Sequence, residues 1–363
     1  MEVLKEMPRR DPINGTFELT VRCNLKCKMC LFRHDDSENK EIMAKEKTAE
    51  EWIDMARQVA EAGTFNLLIT GGEPLLRSDF AKIYEDIYKL GFMITLYTNA
   101  TLVDKKIMDL FRKYPPHKIG VTLYGASYKT YEKVCGNGKA FEKAIRGIEM
   151  LSTLPSVLEF RTTIIKDNYG DIDMIEDLIH DKFGQDYKLT HTRMVTKGVR
   201  GAASDVESCR LSPKDNINLF FRRSIKIVKD IMGEEEFNSA KGKFDIKEVK
   251  NKLENELDTK DKKITLLGCN SGMESYTISW DGKLLGCQLL DAFFTEPFEE
   301  GFKNAWDRFP YTVTLPKINS QCMNCENAQL CSTCYAIRLA ETGKLDGCPK
   351  YLCEDTKELM KFL

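Results

Sequence analysis

Residues 65–97 read FNLLITGGEPLLRSDFAKIYEDIYKLGFMITLY, and this stretch decides the fold. Phe65–Thr70 is a short apolar run of strand length that ends at Gly71-Gly72. Residues 80–90 then show the 3.6-residue apolar repeat of a helix. Gly91 breaks it, and residues 92–97 form the next strand. A strand, a helix and a strand joined by short loops make one parallel βα unit. The same alternation extends in both directions. Strands are expected at 16–22, 118–124, 157–165 and 188–194. Helices are expected at 48–63, 102–114, 141–151 and 172–183, the first with Trp52, Met55, Ala56, Val59 and Ala60 on one face. About six such units fill residues 16–200. A right-handed run of them makes a doubly wound sheet or a barrel, and periodicity alone does not choose. In both, ligands bind at the carboxyl ends of the strands. The Cys23 loop, Gly71-Gly72 and Thr98-Asn99 all fall at that edge.

The chain has 363 residues, with 54 Lys plus Arg against 56 Asp plus Glu and a net charge of -2. That balance gives no sign of a nucleic-acid binder. No apolar run approaches the 18 residues of a membrane span. Met1–Pro12 is charged and without an apolar core, unlike a secretory signal, so a cytoplasmic, reducing location is expected. The unusual count is 13 cysteines, an odd number in a compartment where disulfides are rare. Cys23, Cys27 and Cys30 lie together, Cys135 and Cys209 stand apart, and eight follow from Cys269 onward. Residues 203–265 are charged and helical in pattern, with Glu234-Glu-Glu236 and Lys260-Asp-Lys-Lys263, and read as a solvated connector. Residues 276–280 and 283–285 around Asp281-Gly282 read as a hairpin. The last residues, 356–363, read as a helix. The expected domains are 1–200, 201–265 and 266–363.

Cys23-Asn-Leu-Lys-Cys27-Lys-Met-Cys30 places three thiols within eight residues, in a loop leaving a strand. Three thiolates can wrap one face of a cubane iron–sulfur cluster and leave one iron open. Structural zinc prefers four protein ligands and fits this spacing poorly. The motif resembles that of the radical S-adenosylmethionine superfamily. The resemblance implies a partial (β/α)6 TIM-type barrel. It also implies a [4Fe–4S] cluster on Cys23, Cys27 and Cys30 whose open iron chelates S-adenosylmethionine. Reductive cleavage then gives a 5′-deoxyadenosyl radical that abstracts a substrate hydrogen. Met29 stands at a position often aromatic in the family and near the adenine. Gly71-Gly72-Glu73-Pro74 resembles the site of the methionine amine, although alone it would be a plain turn. Asn99, beside Thr98, could bind the ribose or sulfonium region, or form an Asx turn. Thr122 and Arg161 could reach the ribose and carboxylate, or stand at the core edge.

The tail runs Cys269, Gly282, Cys287, then Cys322-x2-Cys325-x5-Cys331-x2-Cys334, then Cys348 and Cys353. Two CxxC pairs alone would suggest a zinc ribbon. The ordered whole resembles the SPASM domain, which carries auxiliary clusters. By that resemblance Cys269, Cys287 and Cys334 hold a first auxiliary [4Fe–4S] cluster. Cys322, Cys325, Cys331 and either Cys353 (favoured) or Cys348 hold a second. The last step is one residue shorter than the family's, and Ser275 stands where a further ligand of the first cluster is sought. That cluster is either open or completed by Cys348 or Cys209. Cys135 reads as a buried apolar residue.

SPASM-type enzymes mostly modify peptides, so the expected reaction installs a thioether, a carbon–carbon cross-link or a related oxidation. Radical oxidation of a small molecule such as a tetrapyrrole is the alternative. An anaerobic sulfatase maturase is disfavoured because Gln288, not an aspartate, follows Cys287, with Asp291 three residues on. A plain electron carrier has no need of the barrel. The 22 residues before Cys23 are too few for a winged-helix domain, so peptide recognition is expected either from a separate leader-recognition protein or from direct binding by residues 203–265. So is a flavodoxin- or ferredoxin-type electron donor.

Overall fold

The structure, a computed structural model, describes residues 9–240 and 265–362. Residues 241–264 of the expected connector, the first eight residues and Leu363 lie outside the described residues. Strands β1 (Asn14–Glu18), β2 (Asn66–Thr70), β3 (Met93–Thr98), β4 (Lys118–Thr122), β5 (Val157–Thr163) and β6 (Leu189–Thr192) pair in parallel, each with the next. Crossovers carry α1 (Asn39–Lys45), α2 (Ala49–Glu61), α3 (Phe80–Tyr88), α4 (Lys105–Lys113), α5 (Tyr128–Cys135), α6 (Ala140–Leu151) and α7 (Ile172–Phe183). Short α8 (Val206–Cys209) follows β6.

Alternate strand residues face the helices and are buried, as with Leu67 and Ile69 in β2 and Ile94 and Leu96 in β3. Phe17 of β1 meets Trp52 of α2 with ring centroids 5.0 Å apart. The helices begin where the sequence provides caps. Thr48 and Glu51 form a capping box at α2, while Asp104 and Ser127 cap α4 and α5.

Beyond β1 the sheet continues with β7 (Ser275–Ile278), parallel to β1, and then antiparallel β8 (Leu284–Cys287) and β9 (Leu290–Thr295). The order is β6-β5-β4-β3-β2-β1-β7-β8-β9, with β6 and β9 at its edges among the described residues. This is an unclosed partial barrel. The expected hairpin is β7–β8, whereas β9 and the helices α11 (Pro297–Glu300) and α12 (Phe302–Thr312) had no expectation.

Contacts divide the described chain into two units. One is residues 9–210 with 265–315, so Cys269 and Cys287 belong with the barrel strands. The other is residues 211–240 with 316–362. It contains α9 (Pro213–Met232), α10 (Glu234–Ala240), α13 (Ser320–Met323), α14 (Tyr335–Thr342) and α15 (Lys350–Met360). Buried Asn216 of α9 donates to Asp355 of α15 at 2.6 Å. The terminal helix begins at Lys350, not 356, because Pro349 sits at its N-cap. No helix among the described residues is long and apolar enough to cross a membrane.

Candidate active site

The chain leaves β1 at Glu18 and bends at Val21 before entering the cysteine loop. Leu19 N donates to Thr70 O, Gly72 N to Thr20 O at 2.7 Å, and Glu73 N to Arg22 O at 2.9 Å. The Gly-Gly backbone thus continues the pairing of β1 and β2 past the strand ends. A Cβ on Gly71 would lie 2.2 Å from Thr20 O, and one on Gly72 2.3 Å from Arg22 O. Gly71 also holds φ at +147°. The close approach that requires glycine here is to the backbone just before Cys23.

The other side of the loop rests on the C-terminal end of α5. Lys26 N and Lys28 N donate to Cys135 O and Val134 O, each at 3.0 Å. Cys27 and Met29 are buried in an apolar cluster with Leu25, Tyr131, Val134, Cys135, Ile165 and Val195, and Cys23 and Cys30 pack against it. Met29 is therefore a core side chain at this position. Cys135 is fully buried, as expected, and its thiol donates to Tyr131 O.

Glu73 is 0% exposed. Its carboxylate accepts from Thr98 Oγ1 at 2.8 Å, Asn99 N at 2.7 Å and Leu75 N at 3.1 Å. Burial nonetheless raises its pKa to about 7, against the lowering by these three donors. Asn99 forms the Asx turn foreseen as one of its readings, its Oδ1 accepting from Thr101 N at 3.0 Å. Its Nδ2 donates to Asn24 Oδ1 at 2.9 Å and lies 3.8 Å from Cys23 Sγ. Asn99 thus joins the end of β3 to the cysteine loop.

Residues without any spacing signal back this arrangement. Arg22 forms a bidentate pair with Glu46, both contacts 2.9 Å, and Thr20 Oγ1 donates to the same carboxylate. Arg77 pairs with Asp79 and donates to Leu19 O and Lys47 O. On the strand face away from the helices, Arg161 bonds Glu159 at 2.7 Å and Tyr97 OH at 2.8 Å. Its guanidinium lies 4.5 Å over the Tyr97 ring. Arg161 is thereby held within the barrel strands, and half-buried Thr122 is its register partner.

A cavity of about 250 Å³ lies in the same unit, lined by Arg200, Trp280, Asp281, Lys283 and Asp291, among others. Arg200 is a non-glycine residue at φ 54° and pairs bidentately with Glu18 at 2.6 and 2.7 Å. Lys283 pairs with Asp281 at 3.0 Å. Neither Glu18 nor Arg200 has a sequence signal, since each is a single charged residue outside any motif.

The donor set of the front loop fits an iron–sulfur cluster. It comprises three thiols from one short loop, and Leu25 N–H donates to Cys23 Sγ at 3.4 Å, as it would to a ligand sulfur. Among the described residues no three His, Cys, Asp or Glu side chains converge on a single metal ion. Burial pushes Cys23 well above the usual thiol range and Cys30 up to about 11. Cys27 is raised first by its contact with Cys135, then by burial. A pocket that favours neutral thiols needs bound cationic iron to hold thiolates.

In the other unit, Cys322, Cys325, Cys331, Cys348 and Cys353 line one cavity of about 150 Å³ with Arg338. Cys348 Sγ and Cys353 Sγ are 3.2 Å apart, so the two rivals for one ligand position share the cavity. Burial is the first cause raising Cys348 to about 12. Cys334 belongs to this unit and is exposed, as is Cys269 in the other unit. Cys209 is buried at the end of α8.

Comparison with known proteins agrees with this geometry. Residues 17–179 match the Radical SAM superfamily. An AdoMet-dependent heme synthase of Methanosarcina barkeri is 26% identical over 337 residues, covering 90% of this chain and 92% of that protein. Among solved structures, Streptococcus suis SuiB bound to S-adenosylmethionine superposes with a TM-score of 0.66 at 18% identity, over 96% of this chain and 79% of that one. Native anSMEcpe with bound AdoMet gives 0.61 at 18% identity, over 97% and 96%. With the three-cysteine loop clamped at the strand ends, these findings identify residues 17–179 as a radical SAM domain, followed by a cysteine-rich C-terminal region.

Proposed function

We propose that this radical SAM enzyme abstracts hydrogen from a side chain or α-carbon of a peptide, installing a thioether, a carbon–carbon cross-link or a related oxidation. In this reading Cys23, Cys27 and Cys30 hold the [4Fe–4S] cluster. Bound there, the cluster and S-adenosylmethionine supply reductive cleavage of the sulfonium and the abstraction of hydrogen. Gly71, Gly72 and Glu73 act by fixing the backbone before Cys23 and the end of β3 that carries Asn99. Asn99, Thr122 and Arg161 border the space for S-adenosylmethionine. Cys269, Cys287 and Cys334 serve a first auxiliary cluster. Cys322, Cys325, Cys331 and Cys353 or Cys348 serve a second, for electron relay or substrate ligation. A separate leader-recognition protein and a flavodoxin- or ferredoxin-type donor complete the system.

The observation that carries the substrate class is the charge of the 250 Å³ cavity. Both of its cations already have carboxylate partners, Arg200 with Glu18 and Lys283 with Asp281. Asp291 adds a further negative charge and Trp280 an apolar wall. That lining suits a peptide segment, whereas the propionates of a tetrapyrrole would meet Asp291. Tetrapyrrole oxidation is the second reading, favoured by the similarity to a heme synthase over 90% of the chain.

The test is anaerobic reconstitution with dithionite and S-adenosylmethionine. Wild type should release 5′-deoxyadenosine and Cys27→Ala should not. A peptide encoded beside this gene should be modified. A tetrapyrrole consumed while that peptide stays unchanged would overturn the peptide reading.

A further inference from the structure

The cysteine-lined cavity of the second unit contains a buried cation. Arg338, on α14, is 5% exposed. Its Nη1 lies 3.2 Å from Cys322 Sγ and donates to Gly347 O at 2.7 Å. Among the described residues these are its side-chain partners, a thiol and a carbonyl, and neither carries a full negative charge when the thiol is protonated. A guanidinium keeps its proton at any accessible pH. Buried charge without a counter-charge is costly, and proteins normally pair it. The cavity is therefore built for an occupant that is negative.

Five cysteines line the same space. A cubane takes four thiolates, and the assembly carries net negative charge that grows by one on reduction. The N–H donor sits on one of the expected ligand sulfurs, where hydrogen bonding is a recognised means of tuning potential. We propose that Arg338 is the electrostatic counter-ion of the auxiliary cluster in this cavity and holds its reduction potential up by favouring the more negative, reduced state. The step is the uptake of one electron, supplied by dithionite in the assay and by a flavodoxin- or ferredoxin-type donor in the cell. No bond is made or broken in it. The inference rests on the auxiliary-cluster reading above.

The experiment uses the full-length chain, reconstituted anaerobically, with Cys23, Cys27 and Cys30 replaced by Ala to remove the front cluster's signal. Iron content and the reduced-state paramagnetic resonance signal are followed during a redox titration. In that background Cys322→Ala together with Cys325→Ala should remove the iron and the signal of this cavity. If neither falls, the auxiliary-cluster reading fails and takes the proposal with it. If both fall, the arginine is tested on its own. Arg338→Gln should lower the equilibrium constant for reduction about tenfold, which is about 59 mV for one electron. Arg338→Lys, which keeps the charge, should stay within about threefold of the parent. Loss of the cluster in Arg338→Gln but not in Arg338→Lys also supports the counter-ion role. An unchanged potential in Arg338→Gln, an equal shift in both variants, or equal loss of the cluster in both would overturn it. A merely structural role through Gly347 would lower the melting temperature of the iron-free chain and leave the potential in place.

Discussion

Gly72→Ala is the most direct test of how the cysteine loop is held. The added methyl would lie 2.3 Å from Arg22 O and 2.5 Å from Val21 O, both backbone atoms that no rotamer change can move. Ordinary contact needs about 1 Å more, so the two segments must separate by roughly that distance. The bonds from Gly72 N to Thr20 O and Glu73 N to Arg22 O, now 2.7 and 2.9 Å, would stretch beyond hydrogen-bonding range. Each costs about 1–3 kcal/mol when its groups stay buried and unpaired. The expected loss of unfolding free energy is therefore ~2–6 kcal/mol, before any relaxation. Cys23 directly follows Arg22, so the same displacement should misplace the first ligand. The assays are denaturant unfolding of the iron-free chain, and iron content with 5′-deoxyadenosine formation after reconstitution. A Gly72→Ala protein with wild-type stability and full iron would refute the clamp.

Three further expectations follow from the same geometry. Glu73 has its pKa raised by burial from near 4.5 to about 7, so the folded state holds a proton that the unfolded state loses. Its stabilising effect is complete below about pH 4.5 and disappears as pH rises through 7, about 3 kcal/mol in all. Unfolding curves of the iron-free wild type minus those of Glu73→Gln should show that slope between pH 4.5 and 7, and identical slopes would exclude it. Arg200→Met leaves Glu18 buried and unpaired, and should cost ~3–5 kcal/mol in chemical denaturation. The double variant with Glu18→Gln should recover most of that loss, and a double variant as unstable as the single would deny the pairing. Cys348→Ala and Cys353→Ala should each retain the iron of the cavity they share, because the neighbouring thiol takes the vacant ligand position. The double variant should lose it, and full loss in either single variant would identify one fixed ligand.

The fold was legible wherever its signal was local. Strand periodicity and glycine breaks along residues 65–97 placed β2, α3 and β3 to within two residues, and the unit from 172 to 183 coincided with α7. Helix α5 was not read, because its buried apolar side chains, Tyr131, Val134 and Cys135, leave only a short stripe. The pairing of β7 with β1 joins Asn14 to Ser275 across most of the chain, and no local pattern announces such a partner. The sequence boundary near 266 marks a change in composition, while the packing carries residues 265–315 into the barrel unit.

The site shows a related division. Cysteines advertise themselves by spacing, so Cys23, Cys27, Cys30 and the tail set were visible at once. Single arginines have no such grammar, and Arg22, Arg77, Arg200 and Arg338 emerge only when the chain brings them to Glu46, Asp79, Glu18 and Cys322. Gly71-Gly72-Glu73 lies between these cases. Its residue types were noticed for what glycine and a carboxylate can offer a ligand. In the folded chain the glycines admit the backbone of residues 20–22, and the wholly buried carboxylate collects donors from Leu75, Thr98 and Asn99. A motif picked out for its chemistry thus also does mechanical work. Here it locks the ends of three adjacent strands to one another, and Asn99, held by that lock, reaches back to Asn24 and the first cysteine sulfur.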